Sequence, residues 1–171
     1  MNITIMRQVD FCAGHRLVGH EGKCRNLHGH NYRAELYITG RRLDSVGRVV
    51  DFAAIDRLFK GWIDENWDHG VLVWNDDREL IDALSRIEPS KIYLMPYNPT
   101  AENIARYLLT EIGPMLTRQI SGYDVRLTRV VVWENDRSFA EASVAQVFDR
   151  PPEAMESAAE TLDSANPSSR A

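Results

Sequence analysis

The run His28-Gly29-His30-Asn31-Tyr32-Arg33-Ala34-Glu35-Leu36-Tyr37-Ile38-Thr39 decides the fold, because from Tyr32 on the apolar residues Tyr32, Ala34, Leu36 and Ile38 fall at every second position. A period of two is the mark of a strand with one face on a core. Upstream, Thr4 to His15 alternates in the same way, with Val9, Phe11, Ala13 and His15 on one face and Asp10 and Cys12 on the other. The segment Val18 to Leu27 between them is rich in Gly, charge and His, so the two strands are predicted to form a long-looped hairpin. Beyond the turn Gly40 to Gly47, an Asp51 cap precedes Phe52, Ile55, Leu58, Phe59 and Trp62 at helical spacing. A second helix is predicted from Thr100 through Ile104, Leu108, Ile112 and Leu116, with Gly113-Pro114 kinking it or ending its first part. Val125 to Trp133 and Ser138 to Phe148, joined by Asn135-Asp136-Arg137, form a second hairpin.

Between the helices, residues 76–97 read as an insertion with a short helix over Leu80, Ile81, Leu84 and Ile87. Pro89, Pro96 and Pro99 fence off an extended piece, Lys91 to Leu94. The order strand, strand, helix, insertion, helix, strand, strand predicts an α+β domain: an antiparallel four-stranded sheet of two hairpins with a helix pair between them. Four strands leave two bare edges, which predicts edge-to-edge oligomerisation.

The chain of 171 residues suits one core, and 44% hydrophobic with 26% charged residues excludes wholesale disorder, collagen-like and coiled-coil architectures. Twenty basic against 25 acidic side chains, a net charge of -5, argue against general binding to nucleic acid or to an anionic membrane. The start, Met1 to Arg7, lacks the pattern of a signal peptide and no apolar stretch is long enough to span a bilayer, so a cytoplasmic protein is expected. Cys12 and Cys24 then read as reduced thiols. Residues 150–171, with Glu153, Glu156, Glu160 and Asp163 against Arg170 beyond the first position and almost no large apolar residue, are expected to form a disordered acidic tail.

Residues two apart on a strand point the same way, so His28 and His30 can meet one ion. His15 on the partner strand offers a third imidazole, and three ligands with an open position are the catalytic zinc pattern. The competing reading is a pair of polar surface histidines. Cys24, between Lys23 and Arg25 and four residues before His28, sits in an electropositive setting that favours a thiolate; alternatively it is a fourth, structural zinc ligand. Cys12, mid-strand, is expected to be a small buried hydrophobe. Asp68-His69 is either a proton-transfer pair or an Asp capping a loop beside a surface His. Glu134 ends a strand, as a carboxylate at the rim of the core or as a surface group. Glu102 is read as serving the helix dipole and capping, without a catalytic role.

Together, Phe11-Cys12-Ala13-Gly14-His15, Cys24-Arg25-Asn26-Leu27-His28-Gly29-His30-Asn31-Tyr32, Val50-Asp51-Phe52, Asp68-His69, Asn98-Pro99-Thr100-Ala101-Glu102-Asn103 and Glu134 resemble the 6-pyruvoyl- and 6-carboxy-tetrahydropterin synthase family, over about residues 3–148. The resemblance implies a tunnelling fold in residues 1–149, with subunits joined edge to edge into a barrel as a trimer or hexamer. It implies Zn2+ on His15, His28 and His30, Cys24 as catalytic base, Asp68 and His69 as relay partners supplied across a subunit boundary, and Glu134 as the pterin anchor. The implied substrate is 7,8-dihydroneopterin triphosphate, whose triphosphate needs cations; Arg16, Lys23 and Arg25 are the nearby candidates. The Cys24 to His28 spacing resembles the bacterial 6-carboxy branch that feeds 7-deazaguanine (queuosine) synthesis. The insertion and Asn135 in place of a Thr or Ser depart from that branch, so the 6-pyruvoyl product stays an alternative. A non-catalytic pterin- or purine-binding protein and a structural-zinc module are alternatives of other classes.

Overall fold

The computed structural model describes residues 1–120 and 122–144; the acidic tail and the end of the last predicted strand, 145–148, lie outside the described residues. Strand β1 (Ile3–His15) pairs antiparallel with β2 (His28–Gly40), Ile3 opposite Gly40 and His15 opposite His28. The inward faces are those the alternation predicts: Val9, Phe11, Ala13 and His15 are buried on β1, and Tyr32, Ala34, Leu36 and Ile38 on β2. Cys12 lies on the other face and is exposed, which corrects the expectation of a buried thiol: the period of two that sends Phe11 inward sends its neighbour out.

The sheet is larger than expected. Two further strands, β3 (Gly70–Trp74) and β4 (Ile92–Met95), join β1 in parallel pairings, while β5 (Val125–Asn135) and β6 (Ser138–Ser143) continue from β2 antiparallel. The order is β4-β3-β1-β2-β5-β6, a mixed six-stranded sheet where four antiparallel strands were expected. The insertion is therefore part of the sheet. Its helix α3 (Arg78–Leu84) is the crossover that lets β3 and β4 run parallel. Leu80 and Leu84 of α3 bury against Val73 in a small satellite core.

Two helical stretches cover the inner face. The first runs through α1 (Phe52–Ile55), a π-helical turn (Asp56–Lys60) and α2 (Gly61–Asn66), capped by Asp51, whose carboxylate accepts the Ala53 N–H at 2.9 Å. It buries Ile55, Phe59, Ile63 and Trp67 completely, while Phe52 stays exposed. The second runs through α4 (Ala101–Tyr107), a π-helical turn (Leu108–Ile112) and α5 (Gly113–Thr117) and buries Ile104, Leu108, Ile112 and Leu116 as the spacing predicts. The irregularity expected at Gly113-Pro114 is taken up by the wide turn just before it, which makes room for the proline ring and its missing N–H. Gly113 also lets the helix approach β5: a Cβ there would lie 2.6 Å from Leu127 Cδ2. Among the described residues no helix is long and apolar enough to cross a membrane.

Candidate active site

At one end of the sheet, His15 closes β1, His28 and His30 open β2, and Glu134 comes from the end of β5. The ligand nitrogens of His15, His28 and His30 lie within 4.8 Å of one another, and the group could hold a metal ion. Gly29 keeps the two strands close here, since a Cβ on it would come within 3.1 Å of Ala13 O.

The outer hydrogen bonds of this cluster fix its tautomers. A carbonyl only accepts, so His15 Nδ1–H donates to Pro99 O at 2.7 Å and His28 Nδ1–H donates to Asn26 O at 2.8 Å. In the neutral rings this leaves an Nε2 lone pair on each, facing the other at 3.2 Å. Two lone pairs at that distance require a cation or proton between them. His30 Nε2 is buried with no hydrogen-bond partner and lies 3.7 Å from Glu134 Oε1, which is also 3.8 Å from His15 Nε2. Burial holds the His15 and His30 imidazoles below the usual histidine range, which keeps them neutral as metal ligands must be. The Tyr32 hydroxyl, buried beneath His15 at 3.2 Å from Nδ1, is pushed up by its burial and keeps its proton. An orphaned buried nitrogen on His30, the facing Nε2 atoms of His15 and His28, and a carboxylate beside them fit a divalent metal of intermediate softness.

Beside the cluster is a hollow of about 350 Å³ lined by Leu17, His20, Cys24, Thr100, Ala101, Glu102, Glu134, Ser138 and Phe139. Cys24 sits half-buried on a 3₁₀ turn (Lys23–Arg25), flanked by the two cations the sequence places there. The third, Arg16, is committed elsewhere: its guanidinium donates to both carboxylate oxygens of Asp77, at 2.6 and 2.5 Å, and to Glu79 at 2.9 Å. His20 and Glu102 line the hollow although the sequence reading gave them no part in it. Glu102 is reached by the turn at Asn98-Pro99-Thr100, and His20 by the fold of the loop, neither of which a local pattern reveals.

His69 lines a different hollow of the chain, about 330 Å³, with Cys12, Gly14, Gly29, His30 and Asn31, and Asp68 stands behind its ring. The first helical stretch ends with both the Trp67 and Asp68 N–H groups on Ile63 O, and His69 then takes a left-handed φ of 57°. That turn is held by β1: Cys12 N–H donates to Asp68 Oδ1 at 2.8 Å and His69 N–H to Cys12 O at 2.7 Å. Asp68 Oδ2 lies 2.8 Å from His69 Nδ1, so the pair forms a carboxylate–imidazole dyad. Burial would raise the Asp68 carboxyl, but the Cys12 N–H, the His69 ring and Lys91 outweigh it and hold the group below the usual range. Within one chain the structure thus gathers His15, His28 and His30 beside Glu134, whose hollow also holds Cys24, while His69 meets His30 in the other hollow and neither Asp68 nor His69 lines the one with Cys24.

An α+β domain with a curled mixed sheet, three histidines at its end and a thiol and a carboxylate in the adjoining hollow defines a small-molecule enzyme class, and residues 4–144 match the model of one family, 6-pyruvoyl tetrahydropterin synthase. The chain belongs to that family. Among its relatives, the 6-carboxy-5,6,7,8-tetrahydropterin synthase of Rickettsia felis is 40% identical over 139 residues, covering 81% of this chain and 99% of that protein. The protein of the same name from Rickettsia typhi is 46% identical over 114 residues, 67% of this chain and 83% of its own length. The 6-pyruvoyl tetrahydropterin synthase of Caenorhabditis elegans shares the fold, with a TM-score of 0.58 at 23% identity over 85% of this chain and 97% of that one.

Proposed function

We propose that the chain is a 6-carboxy-5,6,7,8-tetrahydropterin synthase, a cytoplasmic lyase of 7-deazaguanine (queuosine) synthesis. It converts 7,8-dihydroneopterin triphosphate to 6-carboxytetrahydropterin with release of acetaldehyde and triphosphate. The observation that carries the reading is the convergence of three imidazoles on one point beside Glu134, with Cys24 in the adjoining hollow. The Rickettsia relatives that bear this name, at 40% and 46% identity, select the product within the family.

His15, His28 and His30 would hold Zn2+, which supplies a Lewis acid for the side-chain hydroxyls of the substrate. Cys24, flanked by Lys23 and Arg25, acts as the base that takes the carbon-bound proton beside the ring. Those two cations are also the residues free to meet the triphosphate, since Arg16 is held by Asp77 and Glu79. Glu134 accepts two parallel N–H bonds from the amino-pyrimidinone edge of the pterin and so orients the ring. Asp68 holds the His69 ring in one tautomer, and His69 relays protons to and from a thiol. Because neither Asp68 nor His69 lines the hollow that holds Cys24 of the same chain, the thiol they serve is that of a neighbouring subunit in a trimer or hexamer.

Mass spectrometry of the products formed from 7,8-dihydroneopterin triphosphate tests the proposal. 6-Carboxytetrahydropterin together with acetaldehyde is expected. 6-Pyruvoyl tetrahydropterin would move the chain to the other branch of the family, and unchanged substrate would make it a binding protein.

A further inference from the structure

The motif Asn98-Pro99-Thr100 has no part in the chemistry above, yet its three residues touch three components of the site. Pro99 O accepts from His15 Nδ1–H, and Thr100 lines the hollow that holds Cys24 and Glu134. Asn98 reaches the loop between β1 and β2. Its Oδ1 accepts the Val18 N–H at 2.9 Å and its Nδ2–H donates to Val18 O at 2.9 Å, so the side-chain amide pairs with one residue of backbone as a neighbouring strand would. One residue before Val18, Leu17 N–H donates to Cys24 O at 2.8 Å, which ties the two limbs of the loop together. The loop's other internal backbone bonds are short-range turns: His20 N–H to Leu17 O, Arg25 N–H to Gly22 O and Asn26 N–H to Lys23 O. Asn98 is itself immobilised, because its carbonyl accepts both the Thr100 N–H at 2.8 Å and Asn103 Nδ2–H at 2.9 Å.

From this arrangement we infer that Asn98 is a positioning residue that sets the Cys24 thiol against the histidine group. The inference rests on the reading of Cys24 as the base and deepens it. Pro99 anchors one side of the site, the ring of His15, and Asn98 anchors the other, the loop that presents Cys24, so their separation is fixed by a single peptide unit on a segment pinned to α4. Val18 is 39% exposed, so water can replace the amide when Asn98 is shortened. Truncation therefore releases the loop without leaving a buried group unpaired, and its effect falls on geometry more than on folding. A displacement of about 1 Å between base and substrate costs on the order of 10²-fold in rate.

The test uses the full zinc-loaded chain carrying Asn98→Ala or Asn98→Asp, the second of which keeps the acceptor for the Val18 N–H and loses the donor to Val18 O. Four quantities are measured: kcat, KM, zinc content by elemental analysis, and the rate at which iodoacetamide alkylates Cys24 in the absence of substrate, read by peptide mass mapping so that Cys12 is scored separately. For Asn98→Ala the expected result is unchanged zinc, KM within about threefold, kcat lower by about 10- to 10²-fold, and alkylation of Cys24 at least about threefold faster as the loop loosens. Asn98→Asp should fall between Asn98→Ala and the unsubstituted chain on both scales. A kcat within about twofold of the unsubstituted chain, a fall in kcat with Cys24 alkylation unchanged, or loss of zinc along with activity would each overturn the inference. The reading beneath it fails separately, if Cys24→Ala turns over as fast as the unsubstituted protein.

Discussion

Replacing Asp77 by Ala detaches the insertion from the site loop, and the structure allows the cost to be worked out. The Asp77 side chain is 4% exposed and accepts two charge-assisted bonds from Arg16, itself 22% exposed, while Oδ1 also accepts the Leu80 N–H at 3.2 Å as the cap of α3. The paired bonds to a largely buried carboxylate contribute about 2 kcal/mol, discounted because Arg16 keeps Glu79 and some water, and the cap contributes about 1 kcal/mol. Their loss should lower stability by about 3 kcal/mol, or roughly 6–12 °C in Tm for a domain of this size. Thermal unfolding near pH 7 measures it, and Asp77→Asn, which keeps a capping oxygen, should lose about 2 kcal/mol. The bonds from Arg16 hold the Asp77 carboxyl below its ordinary 3.8. A depressed carboxylate contributes stability that is fully present above the unfolded pKa and is lost as pH falls through the folded one. The gap between the unsubstituted chain and Asp77→Ala should therefore narrow below about pH 3.8. A gap under about 1 kcal/mol near pH 7, or one as wide in acid as at neutrality, would refute the reasoning.

The remaining expectations concern the site. His28→Ala combined with His30→Ala should abolish stoichiometric zinc in elemental analysis, and full occupancy would remove the assignment of the ligands. Cys24→Ala should keep zinc and the fold while losing turnover by about 10²-fold or more; loss of zinc in this variant would make Cys24 a ligand. Mixing inactive Cys24→Ala with inactive His69→Ala under subunit exchange should restore part of the activity, because some interfaces then join two intact halves. No recovery despite demonstrated exchange would show that each dyad serves its own chain.

The first hairpin is legible because β1 and β2 have one core face and alternate, the second because β-rich runs flank the polar turn Asn135-Asp136-Arg137, and the helix faces because their apolar residues recur at helical spacing. β3 is not, because Gly70-Val71-Leu72-Val73-Trp74 lies between β1 and β4 and carries an unbroken apolar run that a period of two does not detect. β4 is half-legible, as the extended piece between prolines, but its partner and direction depend on α3. The histidine group is readable from spacing alone, since strand geometry dictates that His28 and His30 share a face. The separation of Asp68 and His69 from Cys24 is not, because it follows from a left-handed residue at 69 and from backbone bonds to Cys12, fifty-six positions from Asp68. Asn98 escapes for the same reason: its partner is the main chain of Val18, eighty positions away, and main-chain groups leave no trace in residue type.

The two π-helical turns, Asp56–Lys60 and Leu108–Ile112, bear on how chains of this kind can differ in length. Such a turn lodges one residue more than an α-helical path along the same axis requires, and the helix on either side keeps its phase. A sequence one residue shorter at either place could therefore follow the same axis, with Trp67 still in the core and Asp68 still beside Cys12. Gains and losses of single residues within this fold are thus not confined to its loops, and an alignment that forces every gap into a loop would misplace the residues between the gap and the helix.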